Sequence, residues 1–452
     1  MKNKPIKICI YVFFIVLLIS GSVIYGKKLN NQIYMAQHLK NNNEKDKTII
    51  KMWVKQRDLL ETRKYQVNRF NSENKDNIRV VISSYDKDYY NVIRTSLVNN
   101  NGPDIFEYSG DKELFENNNL ANLQDLNIDT KNIDQNYLFK YEGIPYGVNL
   151  MGNNVKLIWN KELFKKAGLN PDRPPKTWKE LIEFSEKIKE KDKDITPLKI
   201  SLNRSAYEDL RVYIGSPSIL GKDIYTTFWN YKEGKYNFQG AKEILKIYNY
   251  MYKNKLINYD FESTTRNSIR LDFYSNKVGM MLSTFDDKNY FSNIAPLNFE
   301  IGISSLPKVN LHDKENYYYV NNSECFFVNN DVLKNKNKSD AVKQFYQWII
   351  SEDINKEILK TRKALPIILE NKNLEKDIYK EYNNTANFKN QQYDPTEFIN
   401  HSFGSDYKIF SDVIKGTRSV ESGIKELNKI YDLNCKIITE KNILDLNNFI
   451  EK

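Results

Sequence analysis

Three histidines, His38, His312 and His401, stand isolated in the chain, in no metal-ligand spacing and with His38 set apart near the N-terminus. No G-x-S-x-G elbow and no H-E-x-x-H motif occurs. The stretch Gly215–Lys222 (GSPSILGK) imitates a phosphate-binding loop but has one residue too many between its glycines. Asp223 also stands where Ser or Thr would hold magnesium. The pair Asp286-Asp287 could suggest acid–base work, yet neighbours on a strand point to opposite faces, and a solvated turn is the simpler reading. What chemistry remains is recognition. A polyhydroxylated solute offers hydroxyls that want planar hydrogen-bond partners and a C–H face that packs on an aromatic ring. The chain holds 31 Tyr, 23 Phe and 5 Trp, most of which must be core. Tyr108 and Asp111 are the sharpest candidates, because they follow the carboxyl end of a strand, where open α/β sheets place ligands. A surface tyrosine and a helix-capping aspartate are the competing reading.

The elements that must position such residues are legible from periodicity. Ile49–Val54 (IIKMWV) reads as a strand and Asp58–Phe70 as a helix with Leu59, Leu60, Val67 and Phe70 inward. Ile78–Ile82 is a second strand, Tyr89–Val98 a second helix, and Gly102–Phe106 a turn feeding a third strand. That β-α-β-α-β order implies a parallel sheet with right-handed crossovers. Further on, Tyr146-Gly147-Val148 starts a strand and Val155–Trp159 is an apolar crossing strand. Pro171, Pro174 and Pro175 then impose an extended linker. Thr177 with Glu180 three residues later predicts a capping box, and Trp178, Leu181, Ile182, Ser185 and Ile188 share the face of the helix that follows.

The wording of these blocks is narrower than their physics. "IPYGV…LIWNKELFKKAGL-x-PD-x-PPKTW-x-EL" resembles the lobe-crossing segment of the extracellular solute-binding proteins of ABC importers, in the branch that includes maltose-binding protein. "FNSENKDNIRVV", "PDIFEYSGD", "FYSNKVGMMLSTF", "ECFFVNN" and "KALPI" are similar to further blocks of that family, in the same order, from residue 48 to the end. The resemblance implies an α/β, two-lobe clamshell of the periplasmic-binding-protein type, type II, each lobe a mainly parallel sheet flanked by helices. Residues 48–147 plus 323–366 would form lobe 1, and 148–322 plus 367–452 lobe 2. The chain would cross near Tyr146–Asn149, near Asn321–Cys325 and after Pro366. The Ser339–Ile350 helix would pack on lobe 1 through Ala341, Val342, Phe345, Trp348 and Ile349.

The same resemblance implies site residues. Tyr108 would be an exposed stacking ring, its removal leaving melting nearly unchanged, and Asp111 a hydroxyl-binding carboxylate. Lys55, Gln56 and Arg57 lie past the first strand, where the family presents polar contacts, with exposed basic residues of no special role as the alternative. Asn149 and Asn153 straddle the crossing, either as ligand amides or as turn residues. Phe285 and Asp286 end the "GMMLST" strand where the family has Gly-Ser-Trp, a departure that weakens the inference to carbohydrate. Trp229 is the replacement stacking ring from lobe 2, or a packed helix residue. The implied function is capture of a small, sugar-like solute and its delivery to membrane permease subunits by a monomer, with no cofactor, no metal and no catalysis. The alternative is a membrane-anchored subunit that reports a ligand to a signalling partner.

Compartment is read from the N-terminus. Lys2, Lys4 and Lys7 precede an apolar run from Ile8 to Tyr25, the plan of a signal peptide and long enough for an uncleaved anchor within residues 1–26. Ile19-Ser20-Gly21 frames a Gram-positive lipobox, but Ser22 replaces the acceptor cysteine, so thioether lipidation there is chemically impossible. Residues 27–47 are polar and read as a tether. The domain is thus expected on the extracellular face of the membrane, anchored or secreted. About four hundred residues remain, enough for two lobes. The net charge of +10, from 68 basic and 58 acidic residues, is spread along the chain, and no nucleic-acid partner is expected. Cys325 and Cys435 need no bridge in a domain with a real core.

Overall fold

The computed structural model describes residues 47–56, 59–86, 89–108, 112–152, 154–203, 209–310, 318–321, 325–383, 388–391, 394–396, 399 and 406–450. The apolar N-terminal run and the tether therefore lie outside the described residues. Strand β1 (Thr48–Lys55), helix α1 (Leu60–Glu73), β2 (Ile78–Tyr85), α2 (Tyr89–Val98) and β3 (Ile105–Tyr108) follow in the expected order, with β1 between β2 and β3 and parallel to both. Ile50, Met52 and Val54 alternate along β1 and are buried, as are Val67 and Phe70 of α1 and Ile93 and Leu97 of α2. The sheet continues through β4 (Leu120–Ala121), β5 (Leu138–Tyr141) and β6 (Ile144–Asn149). Strands β5 and β6 form a hairpin whose two loop residues, Glu142 and Gly143, both have positive φ (49° and 81°), the geometry that matches strand twist.

The chain then leaves for a second sheet. It comprises β7 (Val155–Asn160), β8 (Thr196–Lys199), β9 (Val278–Thr284) and β10 (Ile301–Ser304), in the order β10-β7-β9-β8. Between β7 and β8 lies α3 (Trp178–Lys191), and before β9 lies α4 (Arg266–Tyr274). Only half of the expected capping box forms on α3. Thr177 Oγ1 accepts from the Glu180 N–H, whereas Glu180 Oε2 turns to the Lys176 N–H at 2.7 Å and Oε1 to Arg173. Trp178, Leu181, Phe184, Ser185 and Ile188 are its buried face.

Strand β11 (Cys325–Asn329) returns to the first sheet and inserts between β3 and β6, antiparallel to both. The two-lobe α/β class holds, but the sheets are mixed rather than mainly parallel. Within these two sheets the parallel pairs among the described residues are β2-β1-β3 and β8-β9; β7 and β11, which enter from the other sheet, run antiparallel to their neighbours, and β5 and β6 form an antiparallel hairpin. Helix α5 (Lys336–Ile349) packs on β1 through Ala341, Val342, Phe345, Tyr346 and Ile349. Tyr346 rather than Trp348 faces fully inward. Its hydroxyl donates to the Phe326 carbonyl at 2.6 Å and accepts from the Val148 N–H at 3.0 Å, so one side chain bridges β11 and β6. Helix α6 (Glu352–Lys360) leads to a third crossing, where Leu365 N–H reaches the Met151 carbonyl and Ile367 carbonyl accepts from Asp134 N–H. The C-terminal helices α7 (Asp406–Lys415) and α8 (Val420–Glu440) pack against each other and against helix Lys242–Lys253. Cys325, buried in β11, and Cys435, on α8, are both free thiols.

One packing constraint in the second sheet is unusually tight. Gly302 of β10 pairs with Trp159 of β7, and a Cβ at 302 would fall 1.9 Å from the indole ring. Gly302→Ala is expected to lower the stability of the folded chain by about 1–3 kcal/mol, measured by urea unfolding, because the indole has no room to withdraw.

Candidate functional site

Register places the candidate residues better than sequence distance does. In the first sheet Lys55 pairs with Tyr85, Cys325 pairs with Tyr108, and Cys325 pairs also with Asn149. The parallel register of Trp53 with Phe106 carries Lys55 to the level of Tyr108. Tyr85, Lys55, Tyr108, Cys325 and Asn149 thus form one row across five strands, at the edge from which the chain departs for the second sheet. In the second sheet Val155, the first residue to arrive, pairs with Thr284, the last of β9. Met281 pairs in parallel with Lys199, so the segment after β8, with Ser201 and Asn203, emerges on that same edge. The two edges joined by the shortest crossing are where a solute could touch both sheets.

The first edge is aromatic. Trp53 and Tyr85 rings lie 4.8 Å apart, Tyr85 and Tyr89 6.2 Å, Tyr89 and Tyr90 5.5 Å, and Tyr90 and Tyr108 5.3 Å. The Lys55 ammonium sits 4.7 Å from the Tyr90 ring centre, a cation–π contact. Lys55 N–H donates to Glu107 Oε2 at 3.3 Å, and Gln56 N–H to the Tyr85 carbonyl at 2.7 Å. Tyr85 is half-buried, and that burial pushes its phenol above the ordinary range, keeping it a neutral donor. Beneath this edge Arg63 is buried against the Phe326 ring, its guanidinium drawn down to about 10 by burial and partly restored by Glu107.

The second edge is charged. Thr265 and Ser268 cap α4 reciprocally, which sets Arg266 in its first turn. Its guanidinium donates to Thr284 Oγ1 and lies 4.0 Å from Asp286, which is partly exposed. Asp209, wholly buried, accepts from Ser201 Oγ and from the Asn203 N–H, and opens a π-helical turn, Leu210–Gly215. Asp287 is no solvated turn residue. It is buried and accepts from Ser283 Oγ at 2.7 Å, Thr284 N–H at 2.9 Å and Arg270 Nε at 2.5 Å, because it lies in the first turn of a short helix, Asp286–Asn289, that folds back on the strand end. Among the described residues no group of three or more His, Cys, Asp or Glu side chains could hold a metal ion.

The sequence candidates divide accordingly. Lys55, Gln56, Tyr108 and Asn149 share the first edge, and Phe285 and Asp286 the second; Arg57, Asp111 and Asn153 lie outside the described residues. Tyr108 is not an exposed ring. It is 1% exposed and packs edge-on against Tyr90 and Phe106. Asn149 is wholly buried and its Oδ1 accepts from the Met151 and Gly152 N–H groups, so it builds the crossing turn. Trp229 stands apart, buried against Tyr236 with its Nε1 donating to the Phe449 carbonyl, so it presents no face to a solute in this conformation. Phe285 is also buried. The two edges also hold Tyr85, Tyr90, Asn203, Asp209 and Arg266, which were not among the sequence candidates. The strand-end rule that found Tyr108 also reaches Tyr85, and the Thr265 cap announces Arg266; nothing in the sequence announces Asp209.

A model of the family described as bacterial extracellular solute-binding protein matches residues 55–356, and the chain belongs to that family. The melibiose/raffinose/stachyose-binding protein MelE of Bacillus subtilis is 22% identical over 248 residues, 54% of this chain and 56% of that one. The sn-glycerol-3-phosphate-binding periplasmic protein UgpB of Shigella dysenteriae is 30% identical over 180 residues, 36% of this chain and 40% of that one. The chain spans about half the length, or less, of such curated relatives. Among solved structures, the sugar-binding protein MalE of Xanthomonas citri superposes with a TM-score of 0.69 at 16% identity, covering 88% of this chain and 100% of that one. The cyclic alpha-maltosyl-1,6-maltose binding protein of Arthrobacter globiformis gives 0.66 at 17% identity, covering 86% and 100%. At these identities the structures establish the two-lobe fold alone.

Two outcomes follow from the burial. Tyr108→Ala should destabilise the fold by about 3 kcal/mol or more in urea unfolding, since it empties a packed ring site. Lys156 of β7 is buried, and burial pushes its ammonium down to about 8, with Glu381 opposing. A lowered folded value means the unfolded chain binds more protons between about pH 8 and 10.5, so this group's unfavourable contribution is full below pH 8 and disappears as pH rises. Lys156→Met should stabilise the protein at pH 7 by ~1–3 kcal/mol and remove that rise from the pH–stability profile.

Proposed function

We propose that this protein is the extracytoplasmic solute-capturing component of an ABC importer, and that its solute is a sugar or oligosaccharide. The observation that carries the reading is the pairing of two edges of complementary chemistry at the first crossing. One offers Tyr85 and Lys55 at the rim of a packed ring cluster, and the other offers Arg266, Asn203 and Asp286 as donors and acceptors. A saccharide presents both a C–H face and ring hydroxyls to such a pair. The names of relatives that bind melibiose, raffinose and stachyose support the same class. Residues 48–147 with 323–366 would act as lobe 1 and the remainder as lobe 2. Solute contacts on both favour a closed arrangement, so binding shifts an existing equilibrium and permease subunits read the closed pair. The protein would work as a monomer on the outer face of the membrane, held or exported through its N-terminal segment.

The test is a thermal-shift and calorimetry panel of stachyose, raffinose, melibiose, maltotriose, sn-glycerol 3-phosphate and a tripeptide mixture. A saccharide at a hundredfold excess over its Kd should stabilise the fold by about 2.7 kcal/mol. Arg266→Ala should weaken that saccharide at least tenfold, the order expected for losing a charged donor at about 1.5–3 kcal/mol. A response to glycerol phosphate or peptide alone would exclude the saccharide reading.

A further inference from the structure

We propose that Tyr382 is a positioning residue that couples the third crossing to the solute-facing end of β9. The inference rests on the site reading above, because it takes that strand end to face the solute. After Ile368 the chain runs through two short turns, Leu369–Asn373 and Ile378–Asn383, that lie against both sheets. On the first-sheet side, Leu369 N–H donates to the Asn132 carbonyl and Lys372 pairs with Asp134 at 2.5 Å. On the second-sheet side, the buried ammonium of Lys288, just past β9, pairs with Glu375 at 2.7 Å. Arg362 reaches Ser292 Oγ at 2.7 Å and also holds Asp377.

Tyr382 closes this strap on two elements at once. Its backbone carbonyl accepts from Asn154 Nδ2 at 2.5 Å, and Asn154 belongs to the first crossing, between β6 and β7. Its buried hydroxyl meets Ser283 Oγ. The direction of that bond follows from Asp287, which can only accept. Ser283 gives its one proton to Asp287 Oδ2, so its oxygen must accept from Tyr382. Asp287 in turn holds the Thr284 N–H and Arg270, and so fixes the turn that carries Phe285 and Asp286. A hydrogen-bonded line therefore runs from the first crossing, through the third, to the strand end where Arg266 and Asp286 stand. Movement of the strap during lobe closure cannot leave that strand end unaffected while Tyr382 and Ser283 remain bonded. Conversely, a solute that orders the strand end favours one strap position.

The experiment uses the full chain with Cys9 and Cys435 changed to serine and spin labels at Asn91→Cys of α2 and Lys187→Cys of α3, both exposed. Pulsed paramagnetic resonance then reads the interlobe distance distribution without any solute. Tyr382→Phe keeps the ring and removes only the hydroxyl. It should shift population away from the separation seen in the parent by about fivefold, the order of one lost hydrogen bond. Ser283→Ala should reproduce the shift, and the double variant should add nothing. With stachyose as probe, Tyr382→Phe should change Kd by a similar factor. A fall in melting temperature with an unchanged distance distribution in both single variants would show a merely structural bond and overturn the proposal. Failure of stachyose to bind the parent would count against the saccharide reading alone, since the solute-free distances still decide the coupling.

Discussion

The structure depends on the insertion of β11 between β3 and β6. Three segments more than a hundred residues apart at their extremes meet there through backbone hydrogen bonds, which are obligatory because both faces of the sheet are covered. The insertion does more than complete a sheet. It has the chain leave the first sheet at Asn149 and come back at Cys325, with the second sheet, β7 to β10, formed in between. Tyr346 reinforces the same point from outside the sheet, its hydroxyl serving the backbones of β11 and β6 together. The row of Tyr85, Lys55, Tyr108, Cys325 and Asn149 is a consequence of that register, as is the edge it presents.

Charge is distributed unequally between the two edges, and the reason is local. The first edge stands at the ends of parallel strands whose side chains are large rings, so its polar atoms are mostly backbone groups, Glu107 and the Lys55 ammonium. The second stands at a helix start and at the reversal after β9, where capping and turn geometry call for Thr, Ser and Asp. The buried carboxylate of Asp287 is tolerated there because it accepts three hydrogen bonds, which offset the loss of water, and Asp209 accepts from Ser201 Oγ and the Asn203 N–H. Lys156 shows the other side of burial, which lowers its ammonium against the opposing pull of Glu381.

Much of the fold was legible from periodicity. The first three strands, both early helices, the Pro-marked linker and the apolar face of α3 follow from apolar spacing and caps, which are local properties. The boundaries that drifted did so where tertiary contact extended an element: β2 runs on to Tyr85 because β1 pairs with it along its whole length. The site was legible in part. Strand-end reasoning reached Lys55 and Tyr108, but burial cannot be read from a strand end, so Tyr108 was taken for an exposed ring. Trp229 shows the opposite failure, since a tryptophan near a turn signals a large apolar surface without saying whether a neighbour covers it. Here Phe449, some two hundred residues on, supplies the acceptor for its indole.

What the sequence by itself determined is local and compositional: which stretches are strands and helices, where they start, the absence of motifs for metal or nucleophilic chemistry, and the family resemblance carried by contiguous blocks. Those properties act over a few residues, through backbone dihedral preference, capping and the period of the apolar pattern. Only the tertiary structure decided that the sheets are mixed, that Asn149 builds a turn, that Asp287 is buried at the hub of a strand end, that Asp209 accepts from Ser201 and Asn203, and that Tyr382 meets Ser283. The mixed sheets and the Tyr382 contact depend on partners far away in the chain. Closing such contacts requires the whole fold, and no local spacing records them.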